Sequence, residues 1–503
     1  MARRDRDKLE AVTTQRCRQF ADALDRDRPA DLRGAACATF AAEAILEPEG
    51  LRPGEMAQHG GWAVRLARQL GGLHLRRIAP AGPTVVMASA DEGVPFASGE
   101  ARITCEISPS APHRILRWSH QSRPLARPTR YGDPSDQALV NRAVAVAANA
   151  GLFSGVVLLR RGGDESGAVV GVANLEAGEG NAMSTRFNTA SLTKLFTAVA
   201  VCRLDELRLI ALDAPISRWL RGAIPDSLAA LTSHELLAHL GGLPEQVPWS
   251  DDQEIADDWL ATLSAVSPDP STRGRFAYSN AGYALLGAVV ERVTGRTYFE
   301  AMSELVFRPL EMGSTGFEES RVAARGRAVG YEYASDEATT PTAPTLAAGL
   351  GRGAPYGYAF STADDVERLT SAVSRLDIVA RPHAAAILQG SIATVDPTRR
   401  AGYGMFRERH GRHWVTTSAG AGPGVSAWLD LIPELGLRVV VLANHPKPSA
   451  HRIGRFLRAS LIAEAARGAS SREVRRTAPF ADRSSMAGDP FLLLGEVRSL
   501  NFL

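Results

Sequence analysis

A serine and a lysine stand three residues apart at the head of an apolar segment, NTASLTKLFTAVAV, residues 188–201. Of the 57 Lys and Arg residues only Lys8, Lys194 and Lys447 are lysines, which leaves 54 arginines. Residues i and i+3 of a helix share a face, so a helix beginning here places Lys194 beside the hydroxyl of Ser191. A Ser hydroxyl becomes an effective nucleophile when a base takes its proton. A Lys with a lowered pKa can be that base, whereas Arg stays protonated. The spacing therefore predicts nucleophilic catalysis by Ser191 with Lys194 as base.

The start of such a helix would itself assist the reaction, because its free N–H groups and positive dipole end stabilise an oxyanion that develops beside Ser191. The alternative is an ordinary surface Ser-x-x-Lys pair, which three lysines produce by chance about 0.2 times in this chain. Phe196, Val199 and Ala200 give the helix an apolar face, which indicates burial and favours the functional interpretation.

Six segments, in chain order, resemble motifs of the serine β-lactamase and penicillin-binding-protein-like superfamily, and the class C β-lactamase and esterase branch is the most similar. They are TRFNTASLTKLFTAVAV, LIALDAPISRWL, LTSHELLAHLGGLP, GRFAYSNAGYALLGAVVERVTG, RPLEMGST and YAFSTADDVERL. The first resembles the nucleophile segment and the fourth the Tyr-x-Asn segment, here Tyr278-Ser279-Asn280. The resemblance covers roughly residues 135–465.

The resemblance implies that Ser191 is the acylated nucleophile and Lys194 its base partner. It also implies that Tyr278 shares proton transfer with the leaving group or the attacking acceptor, and that Asn280 hydrogen-bonds a substrate carbonyl or orients Lys194. A nearby ammonium is expected to lower the pKa of the phenol. On spacing alone, a core or surface tyrosine before a helix is an equally good interpretation of Tyr278.

A third catalytic motif, which the family carries on a late strand, departs from the family pattern in this sequence. Lys-Thr-Gly, or His-x-Gly in many relatives, aligns with Ser418-Ala419-Gly420, so the cation is missing. A Ser offers one uncharged hydrogen bond, and charge-assisted bonds are about twice as strong. This favours a neutral ester or amide over a penicillin or a D-Ala-D-Ala peptide. Gly420 would let a substrate approach the strand closely, and Ser418 either binds substrate or packs within the strand. The backbone N–H groups of Ser191 and Ala421 would form the oxyanion hole.

Two histidines near these motifs are weaker candidates. His413 lies five strand positions before Ser418, hence on the opposite face, and is expected to be an exposed strand residue. His239, in LLAHLGGLP, is expected to be structural, because the family implied by the resemblance needs no His base. HELLAH does not match His-Glu-x-x-His, so no zinc site is predicted, and no metal or organic cofactor is implied.

The elements around the motifs predict an α+β fold. A hairpin over 155–174 comes early, helical patterns dominate 191–310, about four strands lie within 401–444, and a helix over 450–467 comes last. Such an order indicates one antiparallel sheet built from both chain ends and flanked by helices, plus a helical subdomain. This is the β-lactamase/transpeptidase-like architecture that the resemblance implies. Ser135 is predicted to cap the first helix of this domain.

Four parts of the chain are predicted. They are a small N-terminal α+β accessory domain (1–122), a Pro- and Arg-rich linker (123–134), the serine hydrolase domain (135–467) and a C-terminal tail (468–503) whose polar part is expected to be disordered. Within the first part, helical patterns cover 6–26, 31–47 and 55–70, and strand-like runs lie near 73–79, 83–89, 101–107 and 113–120. It holds no convincing catalytic constellation, so packing, partner contact or dimerisation is the expected role.

Composition excludes several other classes. The net charge of +2, with acids and bases interspersed, creates no field for nucleic acid or an anionic membrane. No window approaches about 18 uninterrupted apolar residues, and the start does not resemble a secretory signal, so a cytoplasmic protein with free buried cysteines is expected.

The preferred function is a serine hydrolase or acyltransferase that acts on a small-molecule ester, thioester or amide. One alternative is a β-lactamase or D-amino-acid peptidase. Another is a non-catalytic binding module that retains the fold. The N-terminal domain could support a homo-oligomer.

Overall fold

The computed structural model describes the following parts of the chain. They are residues 40–46, 73–82, 85–92, 99–107, 115–124, 135–149, 152–245, 263, 266–317, 326–334, 341–345, 353–447 and 449–477. Among these residues, none of the helices has the length and apolar composition that crossing a bilayer requires.

Five strands of the N-terminal region form a sheet of their own. They are β1 (Phe40–Leu46), β2 (Leu73–Gly82), β3 (Val85–Glu92), β4 (Gly99–Ile107) and β5 (Ile115–Pro124). Strands β2 to β5 form an antiparallel meander, and β1 runs parallel to β5, in the order β1-β5-β4-β3-β2. The four predicted strands are confirmed.

The helix predicted over 31–47 is wrong where the structure describes that segment. Phe40–Leu46 is a strand whose backbone pairs with Ile115 to Trp118. Its three alanines favour a helix by intrinsic propensity, but pairing with a neighbouring strand overrides so weak a preference. The predicted helices over 6–26 and 55–70, and nearly all of the linker, lie outside the described residues.

The remaining strands lie in the region that follows residue 154. They are β6 (Gly155–Arg161), β7 (Asp164–Val170), β8 (Val172–Asn174), β9 (Glu179–Gly180), β10 (Phe187–Asn188), β11 (Gly330–Tyr333), β12 (Pro341–Thr345), β13 (Phe360–Ser361), β14 (Ile392–Ala393), β15 (Arg399–Ala401), β16 (Phe406–His410), β17 (His413–Gly422), β18 (Val425–Ile432) and β19 (Leu437–Ala443). Eight of them form one antiparallel sheet in the order β14-β15-β16-β17-β18-β19-β6-β7. Strand β6 pairs with β19 along its whole length, so the sheet joins the two ends of this region as predicted.

Nine helices are described after the N-terminal sheet. They are α1 (Asp136–Asn149), α2 (Thr193–Glu206), α3 (Ser217–Leu220), α4 (Ser233–Leu237), α5 (Asn280–Thr294), α6 (Tyr298–Met302), α7 (Ala363–Arg375), α8 (Arg381–Leu388) and α9 (Ser449–Thr477). Ser135 caps α1 as predicted, since its Oγ accepts from the N–H of Ala138 at 3.1 Å. The polar stretch that follows residue 467 is helical up to Thr477, so the expectation of disorder is wrong there. Residues 478–503 lie outside the described chain.

Two apolar cores pack against the sheet, one on each face. On one face Val157, Leu159 and Val441 meet Val140 of α1 and Leu457 of α9, all at most 1% exposed. Each such side chain contributes about 1.5–3 kcal/mol by leaving water.

The core on the other face surrounds α2. Every residue from Thr193 to Cys202 is buried, so this helix is enclosed on all sides. A nucleophile placed at its start is held by a rigid element, and the α+β architecture predicted from the sequence is confirmed.

Candidate active site

Ser191 lies in a tight turn directly before α2. Ala190–Leu192 form a 3₁₀ turn, and Ala190 has φ +45°, a left-handed conformation that residues other than glycine seldom adopt. The side chain of Asn188 accepts a hydrogen bond from the N–H of Ala190 at 2.9 Å and so holds the turn. The N–H of Ser191 makes no hydrogen bond to any described residue, so it is available to an oxyanion.

Lys194 is buried beside the nucleophile. Its Nζ lies 3.3 Å from Ser191 Oγ, and the residue is 2% exposed. Burial lowers the pKa of Lys194 well below its ordinary value, and the negative charge of Glu245 opposes that shift without cancelling it. A neutral amine at this distance can accept the Ser191 proton, which is the property that the spacing predicts.

The amine of Lys194 also contacts a backbone carbonyl, which belongs to none of the sequence motifs. Lys194 Nζ donates to the carbonyl oxygen of Tyr356 at 2.5 Å. The segment around Tyr356 is tied to the nucleophile turn, because the N–H of Tyr358 donates to Ala190 O at 3.2 Å and that of Ala359 to Thr193 Oγ1 at 3.0 Å. The one sequence signal for Tyr356 is its position, two residues before the segment YAFSTADDVERL.

Tyr278 contacts the nucleophile from the helical side. The two residues line the same pocket, and Lys194 Nζ lies 4.9 Å from the centre of the Tyr278 ring. Burial raises the pKa of Tyr278 to about 12, against the smaller lowering effect of the nearby Ser191. The expected lowering by Lys194 is therefore wrong, because desolvation of the phenolate dominates and a buried lysine with a lowered pKa supplies little charge. Tyr278 is protonated at neutral pH and is suited to donate a proton.

His239 holds the Tyr278 segment through both its backbone and its ring. Its Nδ1 accepts from the N–H of Ser279 at 3.0 Å, and its carbonyl accepts from the N–H of Ala277 at 2.9 Å. The ring centres of His239 and Tyr278 are 4.6 Å apart, with an interplanar angle of 31°. Burial, and then the nearby Lys194, lowers the pKa of His239 to about 3. The imidazole is therefore neutral at physiological pH, and the structural role expected from the sequence agrees with this geometry.

Two replacements of His239 separate its hydrogen bond from its ring. His239→Phe keeps a ring but leaves the buried N–H of Ser279 without an acceptor, which lowers the free energy of unfolding by about 1–3 kcal/mol. His239→Asn keeps an acceptor near the Nδ1 position, and Asn tolerates the φ of +58° found there. We expect Asn to give the higher Tm and the faster acylation of Ser191 by an activated ester. Equal losses of Tm in both variants would count against the hydrogen bond.

Strand β17 passes close to the nucleophile turn. A Cβ at Gly420 would lie 2.3 Å from the carbonyl oxygen of Thr189 and 3.1 Å from the backbone nitrogen of Ser191. Glycine is thus required at position 420 because β17 lies against the protein's own nucleophile turn. The approach of a substrate to Gly420 stays a prediction. Strand β16 pairs with β17 only as far as Thr417, so within the described chain the edge from Ser418 to Gly422 has no strand beside it on that side.

Two other predicted residues lie along this free edge. Ser418 lines the pocket, and its hydroxyl donates to the carbonyl of Gly404 at 3.3 Å, so a packing contact already exists for it. Ala421 follows Gly420 directly and is exposed. A shared oxyanion hole formed by the N–H groups of Ala421 and Ser191 stays a prediction.

Asn280 begins helix α5 beyond Tyr278. Its N–H donates to the carbonyl of Glu245 at 2.8 Å. Its Oδ1 is buried and has no hydrogen-bond partner among the described residues, where the side chain makes no hydrogen bond to Lys194. The expectation that Asn280 orients Lys194 is therefore wrong for this structure, since the carbonyl of Tyr356 takes that position. Contact with a substrate carbonyl stays a prediction.

His413 differs from its expected exposure. It is 5% exposed, and its Nδ1 lies 2.8 Å from Glu434 Oε2. The turn after β18 carries Glu434 over the strand end and covers the imidazole. His413 shares its sheet face with Val415, while Ser418 lies on the other face, so the argument that it cannot replace the missing cation agrees with the structure. No cluster of His, Cys, Asp or Glu that could hold a metal ion occurs in the described part of the chain.

The pocket brings together residues of the Ser-x-x-Lys, Tyr-x-Asn and Ser-Ala-Gly motifs. Its lining consists of Ser191, Lys194, His239, Tyr278, Gly402, Gly404, Met405, Phe406, Ser418 and Ala419. The fold is that of the class of β-lactamases and penicillin-binding proteins that the motifs resemble. A family model described as β-lactamase matches residues 139–464, well over half of the sequence, and the chain therefore belongs to the β-lactamase family.

Among curated proteins, esterase EstB of Burkholderia gladioli is 34% identical over 201 residues, which is 36% of this chain and 49% of the esterase. Penicillin-binding protein 4 of Amycolatopsis lactamdurans is 27% identical over 294 residues, 54% of this chain and 75% of the relative. The chain thus spans only about half the length of the esterase.

Solved structures agree on the fold. The penicillin-binding protein of Bacillus halodurans superimposes with a TM-score of 0.55 at 28% identity, covering 63% of this chain and 99% of that one. The D-amino acid amidase of Ochrobactrum anthropi has a TM-score of 0.54 at 22% identity over 64% of this chain and 97% of its own, which is evidence for the fold alone.

Proposed function

We propose that this protein is a serine hydrolase that acts on an ester or amide through an acyl-enzyme on Ser191. The observation that carries the proposal is the buried Lys194 amine, 3.3 Å from Ser191 Oγ with a lowered pKa. The charge of Glu245 does not offset the desolvation of Lys194, so the buried residue is unfavourable as an ammonium, and the protein holds the base in the form that accepts a proton. A purely structural role would not explain why Lys rather than an apolar residue stands there.

Acylation uses each side chain once. The amine of Lys194 takes the Ser191 proton while Oγ forms a bond to the substrate carbonyl carbon. The N–H of Ser191, with that of Ala421, stabilises the negative charge on the carbonyl oxygen. Tyr278 donates its proton to the leaving group as the bond to that group breaks, and recovers a proton from the Lys194 ammonium. Its pKa of about 12 keeps the phenol protonated until a strongly basic leaving group appears.

An ester substrate is supported by the similarity to an esterase. An amide substrate stays a prediction from the sequence. Hydrolysis and transfer to another acceptor need the same three side chains, and exclusion of water from the acyl-enzyme decides between them. Acyl transfer, a thioester substrate, action in the cytoplasm and self-association through residues 1–122 stay predictions from the sequence.

The proposal is tested by intact-mass spectrometry of the full chain after exposure to a fluorophosphonate probe and to a panel of activated esters, thioesters and lactams. We expect one adduct per chain, located on Ser191 by peptide mapping. The acylating member of the panel names the substrate class, and nitrocefin turnover would point to the β-lactamase alternative. A folded protein that takes up neither the probe nor any panel member would support the binding-module alternative and overturn the proposal.

A further inference from the structure

A threonine one turn along the nucleophile helix from Lys194 directs its hydroxyl out of that helix. Thr197 is 0% exposed and, three residues after Lys194, lies on the same face of α2. A threonine inside a helix usually bonds to the carbonyl four residues earlier, but here Thr193 O is 3.5 Å away. The short contact is to the carbonyl oxygen of Pro355, at 2.6 Å. The hydroxyl of Thr197 therefore joins α2 to a segment that lies 158 residues further along the chain.

A buried tyrosine fixes the direction of that hydroxyl. Tyr298 Oη lies 2.7 Å from Thr197 Oγ1, and Tyr298 is 0% exposed. The Thr197 hydroxyl has a single proton, which it donates to Pro355 O, so it accepts from the hydroxyl of Tyr298. The two hydroxyls and the carbonyl thus form a chain of hydrogen bonds with one direction. A buried chain whose members are all satisfied is rigid.

The carbonyl at the end of this chain belongs to a tight turn. The N–H of Gly357 donates to Ala354 O at 3.0 Å, which closes a β-turn with Pro355 and Tyr356 at its centre. Proline suits the first central position because its ring fixes φ. The ring also packs against α5, where a Cβ at Gly287 would lie 2.2 Å from Pro355 Cγ. Helices α2 and α5 therefore hold the turn between them.

The turn presents its second central carbonyl to the base of the proposed reaction. Lys194 Nζ donates to Tyr356 O at 2.5 Å and lies 3.3 Å from Ser191 Oγ. A neutral amine has two N–H bonds and one lone pair. Because the Tyr356 carbonyl takes one N–H, it decides where the lone pair points. The peptide unit between Pro355 and Tyr356 carries the restraint imposed by Thr197 to this carbonyl.

We propose that Thr197 is a positioning residue: through the turn of residues 354–357, its hydroxyl keeps the lone pair of Lys194 directed at Ser191 Oγ. This inference rests on the proposed function and adds to it a residue that touches neither the substrate nor the reacting atoms. Thr197 itself transfers no proton in the reaction. Packing of the helix alone would be served equally well by valine, which has the same branched shape and no hydroxyl to satisfy.

The test measures the rate constant for modification of Ser191 by p-nitrophenyl acetate and by the fluorophosphonate probe, as a function of pH, in the full chain. Thr197→Val removes the hydroxyl and should reduce the rate constant by about 10- to 100-fold, since misplacement of a reacting group by about 1 Å can cost the larger factor. Loss of the carbonyl contact also removes an interaction that favours the ammonium, so the acidic limb should move to lower pH. Thr197→Ser keeps the hydroxyl and should restore most of the rate and the position of the limb.

The position of that limb reports on Lys194, because its charged and titratable neighbours are the same in all of these proteins. They are Glu245, His239 and the rings of Tyr278, Tyr283 and Tyr356. A merely structural role for Thr197 would lower the rate at every pH without moving the limb.

A second replacement tests the chain of hydrogen bonds. Tyr298→Phe removes only the donor to Thr197, so it should slow acylation less than Thr197→Val does. Combined with Thr197→Val it should give no further loss, because the two hydroxyls act as one unit. Losses that simply add would show that the two hydroxyls act separately, and the proposed chain would be wrong.

Thr370→Val is the matched control on another helix. Thr370 of α7 is 1% exposed, and its hydroxyl donates to the carbonyl of Glu367 at 2.9 Å. The variant loses the same kind of buried hydrogen bond, so its Tm should fall as in Thr197→Val. Its acylation rate and its acidic limb should stay those of the unmodified protein.

The outcomes distinguish this inference from the proposed function. If Ser191 is acylated but Thr197→Val leaves the limb in place, moves it to higher pH, or slows acylation no more than Thr370→Val, the assignment of Thr197 is overturned and the hydrolase stands. If neither the ester nor the probe modifies Ser191 in the folded, unmodified protein, the hydrolase fails and the assignment fails with it.

Discussion

Replacing Lys194 with Arg is expected to lower the rate of Ser191 acylation by about 100- to 10,000-fold, the range that a general base contributes. Arg cannot give up its proton at any relevant pH, so it cannot take the proton of Ser191. It would also place a permanent charge in a site where the native residue is 2% exposed. The measurement is the second-order rate constant for an activated ester, with Ser191→Ala setting the background.

Lys194→Met is the matched variant, because Arg at a buried position can also prevent folding. Met has a similar length, carries no charge and has no basic nitrogen, so the protein should fold and acylation should remain slow. A folded Met variant that is acylated at the native rate would show that Ser191 is activated by another group. His239 also lines the pocket, but its pKa of about 3 and the hydrogen bond to its Nδ1 leave it little capacity as a base.

The same base predicts the direction of the pH dependence. Since burial lowers the pKa of Lys194, the amine becomes neutral below the usual range for lysine, and acylation should rise as pH increases through that lowered pKa. At lower pH the ammonium cannot accept a proton, and the rate falls. The acidic limb should vanish in Lys194→Met, where only the slow residual reaction remains. A limb that persists unchanged in that variant would have to come from another group.

Local sequence was sufficient for the centre of the site. Ser191 and Lys194 are three residues apart where the 3₁₀ turn of Ala190–Leu192 continues into α2, so their contact depends on local structure alone. Tyr278 was predicted only through resemblance, since nothing in its spacing relates it to Ser191. The structure explains why: the phenol reaches the serine because His239 holds the segment around it from another loop.

Features that depend on the approach of distant backbone could not be predicted. The carbonyl of Tyr356 carries no side-chain signature, although it lies 2.5 Å from Lys194 Nζ. The pKa of Tyr278 rises because desolvation of the phenolate outweighs the effect of nearby charges. A sequence motif does not specify how deeply the phenol is buried.

The fold was predicted best where each strand has a clear apolar pattern and a turn at its end. Strands β6, β18 and β19 follow this rule and were found in the expected segments. Phe40–Leu46 fails it, because its alanine-rich sequence has no preference strong enough to exclude either a helix or a strand. The prediction of helix there was wrong for that reason.

Replacing Gly420 with Ala is expected to disable the site although the residue bears no reactive group. The added Cβ would lie 2.3 Å from the carbonyl oxygen of Thr189, which is backbone and cannot swing aside. Either β17 or the nucleophile turn must move, and overpacking of this kind costs about 1–3 kcal/mol of unfolding free energy. Displacement of a reacting group by about 1 Å can reduce a rate 100-fold, so acylation of Ser191 should fall by at least that factor.

Gly180→Ala provides the matched control, since Gly180 also lies in a strand and a Cβ there meets no atom within 4 Å. It should leave both Tm and acylation unchanged. The comparison tests a specific geometry: the oxyanion hole needs β17 against the turn of Ser191, and only a glycine permits that approach. If Gly420→Ala is acylated as fast as Gly180→Ala, the strand is not held against the turn during the reaction, and the N–H of Ala421 cannot be the second donor. If Gly420→Ala keeps its Tm but loses acylation, the position of the turn, and not the stability of the fold, is what glycine protects.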